Sequence, residues 1–271
     1  SSIQAVKGYF QGMSSIFPVS RSRHQNKRWR LPRTYTHARH SQFVPLVFSE
    51  LSSAAACYPI AFAQNDDGHY MVGCLLGVQA GRNTWVSDDG AWQGRYIPLN
   101  LRTYPFAQVA DKTGTKLLCI DDSSGSVSYN TSDFQFFGDD GEPSAKLREI
   151  MSILSELEHG TPHANSLCAN LDAHKLLVPW PLNFKLGNIE YPVNGLFRID
   201  EQALNGLEGE IVLELFQNRA LAMAYAHLLS LAQGQVLAEK QQERLEKRVN
   251  SKHDPLSLAG DYGNIAIDSL L

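Results

Sequence analysis

A chain of 271 residues, 43% hydrophobic and 19% charged, can bury a substantial core and has the balance of a folded protein rather than a disordered or fibrous one. No run of about twenty apolar residues is present, which excludes a membrane-spanning helix, and residues 1–20 lack the compact apolar segment of a secretory signal, so a cytoplasmic location is expected. The net charge of −4 hides an asymmetry: residues 1–49 carry eight Lys or Arg and no acid, while the rest holds sixteen of the 24 bases and all 28 acids.

Residues 1–40 therefore read as a basic N-terminal arm. Its simplest berth is the acidic body of its own chain or of a second copy, which would make a homo-oligomer. Nucleic acid is set aside as a partner, because the arm has no reading motif and the whole protein is acidic. Within the arm, His37-Ala-Arg-His40 places two imidazoles three residues apart, which on a helix would share a face. A metal held by His37 and His40 is one reading. Imidazoles that hydrogen-bond locally or face solvent are the other, and the strand-like Thr34-Tyr-Thr favours it. No cofactor is otherwise expected.

Residues 41–141 read as a β-rich core. Val44–Leu51 leads into a helix of small residues over 52–57. Pro59 stops it, and Tyr58–Ala63, the turn Asn65-Asp-Asp-Gly68 and Tyr70–Val78 form a hairpin. Glu50 is the one acid in an apolar neighbourhood. If buried it needs a partner, which a nearby basic residue would supply. Thr84–Val86, the Asp-Gly turn 87–90 and Trp92–Ile97 predict a second hairpin, with Pro98 and Pro105 at strand ends or sheet edges. Residues 83–106 would then continue the same sheet. Lys116–Ile120 is a further strand, and the aspartates of 121–122 and 139–140 sit in turns without the ligand spacing of a calcium loop.

Residues 142–237 change to a helical grammar. Pro143 suits a first helical turn, and Leu147, Ile150, Met151, Leu154 and Leu157 mark one face. Thr161-Pro162 predicts the start of a second helix with Leu167 and Leu171 inward. A hairpin turns at Gly187-Asn188, and Leu196–Ile199 would extend it. Asp200 caps a short helix, and a longer one is expected from Glu210 through Leu231, with His227 as a packing residue. Residues 238–271 are a charged helical extension and a turn-rich tail. The fold class is α+β: an antiparallel β-rich N-terminal half, then a helical C-terminal half carrying a small hairpin. The cysteines Cys57, Cys74, Cys119 and Cys168 form no C-x-x-C pair and are expected to be reduced.

Chemistry is most densely written between Gly81 and Phe106. Two tryptophans, two tyrosines and three arginines share that stretch. Asn83, Trp92, Arg95, Tyr96, Arg102 and Tyr104 are the candidate ligand-binding set, since guanidinium forks beside aromatic faces suit a carboxylate or phosphate joined to an apolar group. The structural alternative is that the rings are core and the arginines lie over them. Glu50 and His40 are the candidate catalytic residues, without a second catalytic group beside them. No phosphate loop, G-x-S-x-G elbow or H-E-x-x-H is present.

A series of short motifs resembles the SapC family. It includes Tyr58-Pro-Ile-Ala-Phe62, Asp89-Gly-Ala-Trp92, Tyr96-Ile-Pro98, Arg102-Thr-Tyr-Pro-Phe106, Cys119-Ile-Asp121, Asp140-Gly-Glu-Pro143, Gly195-Leu-Phe-Arg-Ile-Asp-Glu201 and His227-Leu-Leu-Ser-Leu231. The resemblance spans roughly residues 28–237. It departs at Gln217-Asn-Arg219, where relatives often have Gly. The family is named from a bacterial surface-layer locus that includes secretion genes, and its members often neighbour outer-membrane nutrient receptors and flavin-dependent halogenases. What this implies is an accessory protein of a cell-envelope, secretion or uptake locus. Such a protein would bind a protein partner, a peptide or a small anionic ligand. The family brings no established reaction. An enzyme acting on a peptide or small metabolite, with or without a metal, is the alternative.

Overall fold

The computed structural model describes residues 15–252; the expected arm before residue 15 and the tail after 252 lie outside them. The elements run β1 (Ile16–Pro18), α1 (Arg21–His24), β2 (Arg28–Trp29), β3 (Phe43–Pro45), α2 (Leu51–Ala55), β4 (Ile60–Gln64), β5 (Tyr70–Leu75), α3 (Leu99–Arg102), β6 (Phe106–Ala110), β7 (Lys116–Asp121), β8 (Val127–Ser128), β9 (Phe134–Gln135), α4 (Ala145–Ala173), β10 (Leu177–Pro179), β11 (Leu182–Leu186), β12 (Ile189–Val193), β13 (Leu196–Ile199), α5 (Glu201–Asn205), α6 (Gly209–Gln217), α7 (Ala220–Ser230) and α8 (Gln233–Lys252). The antiparallel sheets lie mostly in the N-terminal half and the long helices follow, so the fold is α+β.

The main sheet has the order β10-β13-β4-β5-β3, every pairing antiparallel. Four consecutive residues of β4, Ile60–Ala63, are buried, because α7 covers one side of the strand while neighbours flank it. Helix α7 also grips the strand by its backbone: Ser230 Oγ accepts from the Ile60 N–H at 2.8 Å, and His227 Nδ1 donates to the Ile60 carbonyl at 2.8 Å. His227 is the expected packing histidine, held by burial down to about pKa 4. The Asn65 turn closes β4–β5 as expected, and the Gly187 turn closes β11–β12.

A second, smaller core joins Trp29, Phe106, Ile120, Phe136, Leu147, Ile150 and Leu154. The basic segment builds part of it. β1 pairs with β7, β2 lies between β8 and β9, and Trp29 is fully buried with its indole N–H on the Gln135 carbonyl at 3.1 Å. Arg23 pairs with Asp122 at 2.6 Å and Arg21 with Glu142 at 3.5 Å. From residue 15 onward the basic segment thus lies on the acidic body of its own chain.

Four expectations are corrected. Residues 83–106 do not continue the main sheet: Val86 and Trp92 form a single bridge, Pro98 opens the helical turn α3, and β6 begins at Phe106 in the sheet β1-β7-β6. No helix starts at Pro162, because α4 runs unbroken from 145 to 173. The proline removes one backbone donor, but Leu147, Ile150, Leu154, Leu167 and Leu171 keep one buried face through it. Gly160 lets that face close down, since a Cβ there would meet a Val47 methyl at 2.7 Å. The expected helix 210–231 is two, α6 and α7, broken at Arg219, whose φ of 72° no helix continues. Finally, β13 joins the main sheet between β10 and β4 instead of extending the β11–β12 hairpin.

Candidate functional site

Glu50 organises the ground beneath the aromatic segment. It closes a 3-10 turn, Phe48–Glu50, and its side chain is 3% exposed. The partner is not the basic residue expected from the sequence. Oε1 accepts from the Leu99 N–H at 2.6 Å and the Tyr96 hydroxyl at 2.8 Å, and Oε2 accepts from the Val47 N–H at 3.2 Å. Burial raises the carboxyl above its ordinary range, and these three donors pull it part of the way back. One acid thereby pins the 96–99 segment to the start of α2.

The rest of that segment is held by a carbonyl. Tyr96 O accepts from the Trp92 indole N–H at 2.9 Å and also from the Tyr58 hydroxyl. Asn83 is buried with both ends of its amide engaged: Nδ2 donates to Ala38 O at 3.2 Å and Oδ1 accepts from the Trp85 N–H at 2.9 Å. Asn83, Trp92 and Tyr96 therefore use their polar groups inside the fold. Arg95 is exposed beside Cys57.

Arg102 and Tyr104 face a different setting. They line a groove of about 230 Å³ with Tyr35, His37, Leu101 and Ile150 among its walls. The Tyr104 ring stacks on His37 at 4.1 Å with 12° between planes, and Tyr35 lies 5.7 Å from His37 and 5.6 Å from Trp92. Arg102 is exposed, and its guanidinium has no ion pair or hydrogen bond among the described residues; only its backbone N–H is engaged, on Pro98 O. Its charge opposes the burial that raises the hydroxyls of Tyr35 and Tyr96. Lys146 stands at the groove too but is occupied by Glu149. Burial pushes His37 down to about 4, so its ring is neutral at physiological pH. Its Nε2 donates to Leu101 O at 3.3 Å, and its Nδ1 is buried without a partner.

The two nominated histidines do not share a face. The segment Thr36–Ala38 is a 3-10 turn; His37 turns to Leu101, while His40 is exposed with Nδ1 on Gly81 O at 3.1 Å. Among the described residues no group of three or more His, Cys, Asp or Glu could hold a metal ion. Glu50, the other catalytic candidate, is inside the fold and makes no contact with His40. The cysteines are free, as expected. No helix among the described residues is long and apolar enough to cross a membrane.

Tyr35, Leu31 and Pro32 were missed from sequence. They come from the basic segment, some seventy residues from Arg102, and only the threading of that segment beside α3 brings them to the groove. Ile150 and Lys146 arrive on α4, which packs against α3. A second cleft, about 290 Å³, lies between α8 and the 84–93 loop. Its charges are partly paired within the chain: Asp88 takes both Arg244 at 2.9 Å and Arg248 at 2.8 Å, and Lys240 takes Glu243 at 3.3 Å, while Lys247 also lines it, so the lining carries more bases than acids.

The SapC family model matches residues 19–237. The chain belongs to the SapC family. That match spans both cores, the Glu50 anchor and every groove residue, and ends at the buried Leu237 within α8. No curated protein and no solved structure matches the SapC chain.

Proposed function

We propose that this SapC protein is a binding protein whose groove at Arg102 receives an anionic group attached to a flat or apolar body. The supporting observation is a single one: an exposed guanidinium with no partner of its own among the described residues stands beside the Tyr104–His37 stack and Tyr35, over apolar walls. A guanidinium binds a carboxylate or phosphate with paired donors, and aromatic walls favour a ring or aliphatic group behind it. The neutral His37 adds surface without adding charge. A free carboxylate metabolite and a peptide ending in an aromatic residue both present this chemistry. Such a role suits the accessory place in an envelope, secretion or uptake locus that the family implies.

The test is calorimetric titration with phenylacetate, indole-3-acetate, a dipeptide ending in Phe, and benzyl alcohol as the uncharged control. The carboxylates should bind saturably and the alcohol should not. Arg102→Ala should weaken binding about tenfold or more, the worth of one charge-assisted contact, with the melting temperature unchanged. Binding that survives Arg102→Ala, or a melting temperature that collapses in it, would show the arginine to be structural and the groove to be misassigned.

A further inference from the structure

We propose that the outer sides of α6 and α7 form a docking surface for a cationic amphipathic segment of a partner protein. In α6 only Leu215 is fully buried. At about 100° per residue, Val212, Phe216 and Leu213 lie roughly 60–160° round from Leu215, and Glu210 and Glu214 lie roughly 220–260° round. An apolar stripe thus runs beside an acidic one, both facing away from the core. Leu213 is 55% exposed and Phe216 69%. The next helix, which has no acid of its own, adds a second exposed apolar stripe. α7 turns Met223, Ala224 and His227 inward and leaves Tyr225 47% and Leu229 78% exposed, one turn apart. Scattered apolar side chains are ordinary on a surface, but large ones repeated at helical spacing on two helices packed together mark an interface.

Charge selects the occupant. Residues 200–230 hold five acids, Asp200, Glu201, Glu208, Glu210 and Glu214, against the single base Arg219, which lies over the Phe48 ring; Glu214 also lies 3.5 Å from His174 Nε2 at the end of α4 and stays half exposed. A second copy meeting this face with its own would set these glutamates against each other. An anionic lipid surface would be repelled in the same way. Residues 253–271 contain three aspartates and no Lys or Arg, so the chain's own tail has the wrong sign. A helix or strand with apolar residues on one side and Lys or Arg on the other matches both stripes, the mode in which an amphipathic helix is laid on an apolar face.

The experiment is fluorescence anisotropy of the full chain with a labelled fourteen-residue amphipathic Leu/Lys peptide, and with a scrambled peptide of the same composition. The expected result is saturable binding of the amphipathic peptide alone. The double substitution Leu213→Ser with Phe216→Ser should weaken it tenfold or more, as should Glu210→Lys with Glu214→Lys. Arg102→Ala should leave it unchanged, which separates this face from the ligand groove. All five side chains are exposed, so the variants should keep the parent melting temperature. Equal binding of the scrambled peptide, or binding indifferent to both double substitutions, would overturn the proposal. So would a dimer by light scattering that Phe216→Ser dissolves, which assigns the face to a second copy. Sedimentation with anionic vesicles that depends on Phe216 assigns it to a membrane and overturns the proposal equally.

Discussion

Replacing Glu50 by Gln probes the anchor of the aromatic segment. The amide oxygen can keep the Leu99 N–H and the Tyr96 hydroxyl, since both meet Oε1. The amide nitrogen must then face the Val47 N–H, donor against donor. One buried donor left unmet costs about 1–3 kcal/mol, and each kcal/mol lowers the melting temperature of a chain of this size by roughly 2–4 °C. A fall of roughly 4–8 °C is expected for a cost of about 2 kcal/mol. The pH dependence is the sharper reading. Because burial raises the Glu50 carboxyl in the folded state, the native protein holds its proton to higher pH than the unfolded chain. The stability this contributes is full below the ordinary carboxyl range and is lost as pH rises through the raised value. The Glu50→Gln variant has no such slope. Melting curves of both proteins from pH 4 to 8 should therefore show a gap that is widest at pH 4 and narrows upward. A gap that stays constant or widens with pH would refute the reasoning.

Asp88→Ala should release α8, since that carboxylate is shared by Arg244 and Arg248. Hydrogen exchange should rise in 233–252 while β4 and β5 keep their protection. Those hydrogen bonds hold the Asp88 carboxyl down at about 2, so the clasp is intact above the ordinary aspartate range and should open as pH falls through about 2. Arg219→Gly should stabilise the protein by up to about 1 kcal/mol, because glycine adopts the left-handed conformation there without steric cost. A lowered urea midpoint would instead show that the guanidinium over Phe48 contributes more than the strain removes.

Local chemistry was legible wherever a turn declared itself. Asn65–Gly68 and Gly187-Asn188 closed the hairpins expected of them, and Asp200 caps its helix through the Ala203 N–H. Pro162 misled because a proline is read locally as a start, whereas the buried leucine face on both sides of it outweighs one lost hydrogen bond. Arg219 gave no sign, being a residue type that seldom turns left-handed. The site divided along the same line. The richness of 81–106 in rings and arginines was plain, but which rings are spent internally depends on Glu50 and on carbonyls such as Tyr96 O. Composition cannot separate Tyr96, bound to a buried acid, from Tyr104, stacked at an open groove.

The placement of β13 has a consequence for how the chain is made. β4 leaves the ribosome early and finds β5 at once, but its other edge waits for residues 196–197. At about 5–20 residues per second, the intervening stretch takes roughly 7–27 seconds to synthesise. For that interval Ile60-Ala-Phe-Ala63 is an apolar edge open to any strand nearby. Slowing translation after residue 64 should increase aggregation of the nascent protein, while a chaperone that shields strand edges should relieve it.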